Sequence, residues 1–91
     1  MVSAKDAAGS ARDYFTGLYG SQFRNLMLEE VERDDKYWYI TLGYDLPLPD
    51  NPVLAAFQRA GKPSRGFKVF KIDASTGEIV SMKIREVASV E

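Results

Sequence analysis

The chain has 91 residues, of which 45% are hydrophobic and 12% aromatic, with 12 basic and 13 acidic side chains and a net charge of −1. This composition argues against a disordered segment and predicts a single folded domain over residues 1–91. The near-zero net charge gives no reason to expect a nucleic-acid partner. The absence of cysteine and histidine removes disulfides, thiolate metal sites and the commonest general base.

Residues 3–19 predict the main helix. Ser3 and Asp6 are spaced as a capping box at its start, and Gly20 marks its end. An apolar stripe at helical spacing consists of Ala4, Ala8, Ala11, Phe15 and Leu18. We expect this stripe to pack on the protein's own sheet. The alternative is that it pairs the helices of two protomers.

The N-terminal stretch also bears on location. It lacks the uninterrupted apolar run of a signal peptide. No stretch of the chain approaches the roughly 20 apolar residues that a membrane span requires. We therefore expect a cytoplasmic protein with no membrane partner.

Two segments, 26–32 and 37–44, predict a first β-hairpin that turns at Asp34 and Asp35. The predicted register pairs Arg33 with Lys36, Val31 with Trp38, and Met27 with Leu42. One face of this hairpin is then apolar, and we expect it to be buried.

The same register turns Glu29 toward the core, where an unpaired carboxylate is costly. We expect a β-bulge near Glu29 and Glu30, or a turn that differs by one residue, to rotate the side chain outward. The alternative is an inward-facing Glu29 with a function.

Residues 45–66 connect this hairpin to the next one. Pro47 and Pro49 exclude a central strand in this segment. Pro52 suits the first turn of a short helix. We expect that helix to lie between the second and third strands, with Phe57 covering one end of the core.

Residues 67–87 predict a second hairpin that turns at Ser75, Thr76 and Gly77. Gly77 can adopt a positive φ without a steric clash, and Asp73 can accept backbone amides of the turn. The predicted register pairs Ile72 with Val80, Phe70 with Met82, and Lys68 with Ile84 on one face, and Lys71 with Ser81, Val69 with Lys83, and Phe67 with Arg85 on the other. The first face is largely apolar, and the second is largely polar and basic.

These elements predict an α+β fold: a long N-terminal helix packed on a four-stranded antiparallel meander sheet, with a short helix between strands two and three. The predicted core consists of Ala8, Ala11, Phe15, Leu18, Met27, Val31, Trp38, Ile40, Leu42, Phe57, Phe70, Ile72, Val80, Met82 and Ile84.

The alanine-rich helix, the strand YWYITL at 37–42 and above all the segment FKVFKIDASTGEIVSMK at 67–83 resemble PepSY-like domains. The resemblance covers most of the chain, although residues 45–65 look like an insertion. It implies a small domain without catalytic residues. PepSY-like domains occur in peptidase propeptides, where an inhibitory or chaperone-like role is proposed, and as small free-standing proteins.

The predicted site is the face of the sheet that the helix leaves open. It carries an aromatic and charged set, namely Tyr37, Tyr39, Lys71, Lys83 and Arg85 with Glu30. Because tyrosine and arginine are enriched at interface hot spots, we expect this face to bind a protein partner or a second copy. The alternatives are a merely solvated face with cross-strand charge pairs and, disfavoured by the near-zero charge, a surface that stacks nucleobases.

A second hypothesis is a small-ligand pocket between the helix and the sheet, lined by Tyr14, Phe15, Trp38 and Phe57. An enzyme is the weakest reading, because the sequence contains no phosphate-binding loop, nucleophile elbow or metal-ligand spacing. We therefore predict no catalytic site, no metal and no cofactor.

Overall fold

The computed structural model describes residues 1–46, 52–53 and 65–85. Along the chain lie the helix α1 (Ala4–Tyr19) and the strands β1 (Arg24–Arg33), β2 (Tyr37–Asp45), β3 (Arg65–Asp73) and β4 (Ile79–Ile84). The strands form one antiparallel sheet in the order β1-β2-β3-β4. The predicted α+β class is thus confirmed. Apart from Pro52 and Val53, the short helix predicted between β2 and β3, including Phe57, lies outside the described residues.

The helix begins with the predicted capping box. The hydroxyl of Ser3 accepts the Asp6 amide at 3.1 Å, and the Asp6 carboxylate accepts the Ser3 amide at 3.4 Å. Gly20 follows the last turn at φ +61°, a conformation that glycine adopts without a Cβ clash.

The buried stripe of α1 is rotated from the predicted one. It consists of Ala7, Ala11 and Phe15, whereas Leu18 is exposed and Ala8 is only partly buried. Residues at i, i+4 and i+8 lie on one side of a helix, so the buried line passes through Ala7 rather than Ala8. The small side chains let α1 lie close to the sheet, mainly over β2.

One face of the sheet packs against α1 and is called the inner face here. Its buried members are Ile40, Leu42, Tyr44, Phe70 and Ile72, joined by the partly buried Trp38 and Met82. They occupy alternate positions along their strands because successive side chains of a strand point to opposite sides.

An aromatic cluster anchors the end of α1 to this face. Adjacent rings of Phe15, Tyr19, Phe23 and Tyr44 have centroids 4.7 to 5.9 Å apart. Gly66 lies opposite Tyr44 across β2 and β3, and a Cβ added to it would lie 2.7 Å from the tyrosine ring. The glycine therefore lets this ring lie flat against the strand.

The β3–β4 hairpin largely follows the predicted register. Four predicted pairs are confirmed, namely Lys68–Ile84, Val69–Lys83, Phe70–Met82 and Lys71–Ser81. The pairing of Ile72 with Val80 is wrong, because Ile72 faces Ile79 and Val80 is the extra, exposed residue of a bulge. Ile84 is also wrongly placed in the core, since β4 is an edge strand and this side chain is 74% exposed.

The predicted register of the β1–β2 hairpin is wrong. Arg33 faces Trp38, and Val31 faces Ile40. The Asp34 carboxylate accepts the amides of Lys36 at 2.9 Å and Tyr37 at 2.8 Å, which makes the turn longer than predicted. Val31 keeps its inner side but is exposed on the edge strand.

A bulge between Leu28 and Glu30 makes Glu29 an extra residue in β1. An extra residue reverses the side on which the preceding residues point. Met27 therefore faces Gly43 on the side away from α1, where it is 54% exposed, instead of packing on Leu42. The predicted core position of Met27 is wrong for this reason, and the expected outward rotation of Glu29 is confirmed.

Candidate interaction surface

The face of the sheet opposite α1 is called the outer face here. Across β1 to β4 its rows are Glu32, Tyr39, Lys71 and Ser81; then Glu30, Thr41, Val69 and Lys83; then Met27, Gly43, Phe67 and Arg85. Tyr37 with Asp73, and Asp45 with Arg65, extend it at the two ends. Within the described ranges α1 is the only element packed on the sheet, and it lies on the inner face, so the outer face is uncovered.

The tyrosines form a cluster at one end of the outer face. The ammonium of Lys71 lies 4.2 Å from the centroid of the Tyr37 ring, which is a cation–π geometry. The Tyr37 and Tyr39 rings are 6.5 Å apart, and the Tyr39 hydroxyl donates to Asp34 at 2.7 Å. Asp34 of the turn thus fixes the Tyr39 hydroxyl, and the Tyr37 ring positions the Lys71 ammonium.

Arg65 joins strands at the other end. Its guanidinium lies 2.7 Å from Asp45 and 3.0 Å from the bulged Glu29. These side chains cross above Gly43, where an added Cβ would lie 2.5 Å from a Glu29 carboxylate oxygen. The absence of a side chain at this position provides the space for the ion pair.

Arg85 reaches across the whole sheet. Its guanidinium donates to the Glu30 carboxylate, which connects the end of β4 to β1 over the intervening strands. Glu29, Glu30, Phe67 and Arg85 line a shallow groove of about 230 Å³ beneath this contact. The ion pair is more than 40% exposed at each side chain, so we expect it to break readily when another charged group approaches.

Charge is divided across the outer face. In the two middle rows and the row of Met27, the β1 side carries the carboxylates of Glu30 and Glu32 with the bulged Glu29, and β3 and β4 carry the cations of Lys71, Lys83 and Arg85. The two ends of the face are mixed, with Arg24, Asp45 and Arg65 at one end and Asp73 at the other. Between the acidic and the basic side lie Thr41, which is only 3% exposed, and the partly buried Val69 and Phe67. An apolar centre with a charged rim is the usual anatomy of a protein interface.

Two aspartates at the hairpin turns have altered acidities. Hydrogen bonds from the Tyr39 hydroxyl and from two backbone amides hold the pKa of Asp34 below its usual value. The same bond raises the pKa of Tyr39, because the donated proton is harder to remove. Hydrogen bonds from Ser75 and from the Thr76 amide lower the pKa of Asp73. Each aspartate therefore accepts hydrogen bonds within the turn in which it lies, Asp34 between β1 and β2 and Asp73 between β3 and β4.

The structure brings some predicted site residues together and separates others. Tyr37, Tyr39 and Lys71 form one cluster, and Glu30 pairs with Arg85. Lys83 stands apart, opposite Val69, and takes part in none of the ion pairs of the described residues. The role of this set in binding stays a prediction.

Sequence reasoning missed the Arg65 cluster. The sequence places residue 65 in the connection 45–66, but β3 begins there, so Arg65 shares the alternation of Phe67 and Val69. A glycine inside the apolar strand YWYITLGY was the available signal, because such a glycine marks a close approach by other groups.

The residues predicted to line a small-ligand pocket have separate surroundings. The Phe15 ring is 1% exposed within the aromatic cluster, and the Tyr14 ring meets Phe70 edge-on at 6.3 Å. Trp38 lies near the opposite end of β2, where its indole donates to the Val2 carbonyl at 3.1 Å. Phe57 is outside the described residues, so the complete pocket stays a prediction.

The comparisons with protein-family models, curated proteins and solved structures return no match to this chain. Among the described residues no helix combines the length and apolarity needed to cross a membrane. In the same ranges no three acidic side chains converge so as to hold a metal ion.

Proposed function

We propose that this chain is a non-catalytic protein-interaction or regulatory domain and that the outer face of its sheet is the binding surface. The observation that carries the proposal is that no described element packs on the outer face, on which charged side chains surround a partly apolar centre. Its resemblance to PepSY-like domains favours the same role.

The side chains of the outer face suit protein recognition. Tyrosine and arginine provide large contact areas and directed hydrogen bonds. The Tyr39 hydroxyl and the Arg65 guanidinium are already fixed by Asp34 and Asp45, which lowers the entropy that binding must remove. Cations and carboxylates occur on the same face, a mixture that favours a protein over a polyanion.

Affinity capture with the immobilised chain tests this proposal. Lys71→Glu combined with Lys83→Glu reverses two charges on the outer face. Lys5→Glu combined with Arg12→Glu is the matched control, since it changes the net charge equally at exposed positions on α1. We expect the outer-face variant to lose proteins that the wild type and the control retain. Equal capture by all three chains would contradict the proposal.

A further inference from the structure

We propose that the partner of the outer face is a second copy of this chain, in a face-to-face dimer whose two-fold axis runs parallel to the strands. This inference rests on the proposed function, because it assigns an occupant to the same surface. The outer face carries the geometric and electrostatic features that such self-association requires.

Two symmetric ways exist to stack this face on itself with the strands aligned. A two-fold axis parallel to the strands places β1 over β4 of the second copy, and β2 over its β3. An axis perpendicular to the strands, but still between the sheets, places β1 over the other β1. Both arrangements are isologous, so every contact occurs twice.

Charge selects the first arrangement. Glu30 and Glu32 project from the β1 side of the face, and Lys83 and Arg85 from the β4 side. Rotation about the parallel axis brings the acidic side of each copy over the basic side of the other. Rotation about the perpendicular axis brings like charges together, which is costly across an interface.

The charged groups needed for these contacts are available. Glu32 and Lys83 take part in no ion pair among the residues that the structure describes. Arg85 and Glu30 form an exposed pair within one copy, and each can exchange its partner for the same group of the second copy. The existing bond also shows that the two sides of the face attract each other.

The centre of the face fits the same arrangement. The parallel axis places Tyr39 over Lys71 of the second copy, and Thr41 over its Val69. Thr41 and Val69 are compact side chains that allow two sheets to approach at the usual distance of about 10 Å. Lys71 already contacts one aromatic ring, and the Tyr39 ring of the second copy offers another.

The area of the face predicts the strength of the dimer. Four strands spaced about 4.8 Å apart, with lengths near 30 Å for β2 and β3, present roughly 550 Å² per copy. Two such surfaces bury roughly 1,100 Å², which is at the lower limit of specific interfaces. Interfaces of this size are typical of weak association, so we expect a reversible dimer that dissociates on dilution.

Pairing of two β1 edges is a less favourable route to a dimer. It would place Glu30 and Glu32 beside the same residues of the other copy. The bulge at Glu29 also interrupts the edge to which a second strand would bond. Both features point to the face rather than the edge.

Sedimentation equilibrium of the whole chain tests the inference. We expect the weight-average mass to rise from 10.2 kDa toward twice that value as the concentration increases to ~200 µM. We expect added salt to weaken the dimer, because exposed charges are screened. A mass that stays at 10.2 kDa throughout would overturn the inference.

Charge reversal identifies the arrangement. Glu30→Lys alone and Lys83→Glu alone should each weaken the dimer by roughly tenfold or more, because the parallel axis places Glu30 over Lys83 of the second copy and each variant creates two like-charge contacts. The double variant with both changes should recover most of the wild-type affinity. Arg12→Glu is the control and should leave the affinity unchanged. A double variant weaker than either single variant would overturn the parallel axis.

These outcomes are distinguishable from failure of the proposed function. If the chain remains monomeric while the outer-face variant still loses captured proteins, self-association is overturned and the binding face stands. If dimerisation occurs but only changes on α1 disrupt it, the face-to-face dimer is overturned, and the proposed function fails only if the outer-face variant also captures the same proteins as the wild type. Circular dichroism of each variant, expected to match the wild type, verifies that these surface changes leave the fold intact.

Discussion

The two faces of the sheet are built from the same strands but are stabilised by different interactions. On the inner face Ile40, Leu42 and Phe70 are fully buried against α1, and they stabilise the fold by close packing. On the outer face ion pairs join one strand to another and remain partly exposed. Packing is thus concentrated on the inner face, whereas the outer face is held together by partly exposed ion pairs.

Each face also contains a glycine that provides space for a neighbour. Gly66 faces the buried ring of Tyr44 on the inner face, and Gly43 lies beneath the Glu29–Arg65 ion pair on the outer face. The two neighbours differ in how far they can move. A buried ring is confined by its packing, whereas the ends of charged side chains can shift into solvent.

The largest expected contrast between the faces comes from removing a phenylalanine ring. Phe15→Ala should lower the free energy of unfolding by about 3–5 kcal/mol, because it opens a cavity in the aromatic cluster. Phe67→Ala on the outer face should lower it by about 1 kcal/mol, because that side chain is only partly buried. Urea denaturation measures both values. Similar losses for the two variants would refute the division of stability between the faces.

The glycines give a smaller contrast. Gly66→Ala should cost about 1–3 kcal/mol of unfolding free energy, since its new methyl group would collide with the Tyr44 ring. Gly43→Ala should cost about 1 kcal/mol or less, because the Glu29 and Arg65 groups can swing away. Thermal denaturation of both variants checks which loss is larger. A larger loss for Gly43→Ala would contradict the conclusion that the neighbours of Gly66 are the less movable ones.

The smallest expected effect concerns pH and the Asp34–Tyr39 bond. The pKa of Asp34 is lowered on folding, so its contribution to stability is present above about pH 3.9 and is lost as the pH falls through the folded pKa. The pKa of Tyr39 is raised, so its contribution is present below about pH 10 and is lost as the pH rises through the folded pKa.

Asp34→Asn should remove both dependences. An ultraviolet titration should show the raised pKa of Tyr39 moving back toward its ordinary value in this variant. Asp35→Asn is the matched control, because Tyr39 donates to Asp34 and not to its neighbour. An unchanged tyrosine titration in Asp34→Asn would show that the bond does not persist in solution.

Local chemistry explains how much of the fold the sequence predicted. The position of the β3–β4 turn follows from Asp73, which accepts the amides of Ser75 and Thr76, and from Gly77, which takes φ +81°. All these residues lie within five positions of one another, so a short motif determines where the hairpin turns, whereas the bulge at Val80 shifts the pairing beyond it by one residue. The helix cap at Ser3 and Asp6 is local in the same way.

The errors occur where distant groups decide the structure. A bulge at Glu29 is favoured by Arg65, which lies far along the chain, and it moves Met27 to the outer face. The predicted register placed Val80 and Ile84 on the buried face, yet Val80 is the extra residue of a bulge and Ile84 lies on the edge strand, so both are exposed. Alternation predicted that Tyr39 and Lys83 share the outer face, but not which side chains pair there.

Nuclear magnetic resonance at two protein concentrations would test the use of the outer face most directly. Backbone amide shifts of the dilute and concentrated chain locate the surface at which copies meet. We predict that the changes concentrate at the outer-face residues of all four strands, with Glu30, Tyr39, Val69 and Lys83 among them. Changes concentrated instead along the groove between α1 and β1, at Lys5, Gly9 and Leu28, would contradict the assignment of the outer face as the binding surface.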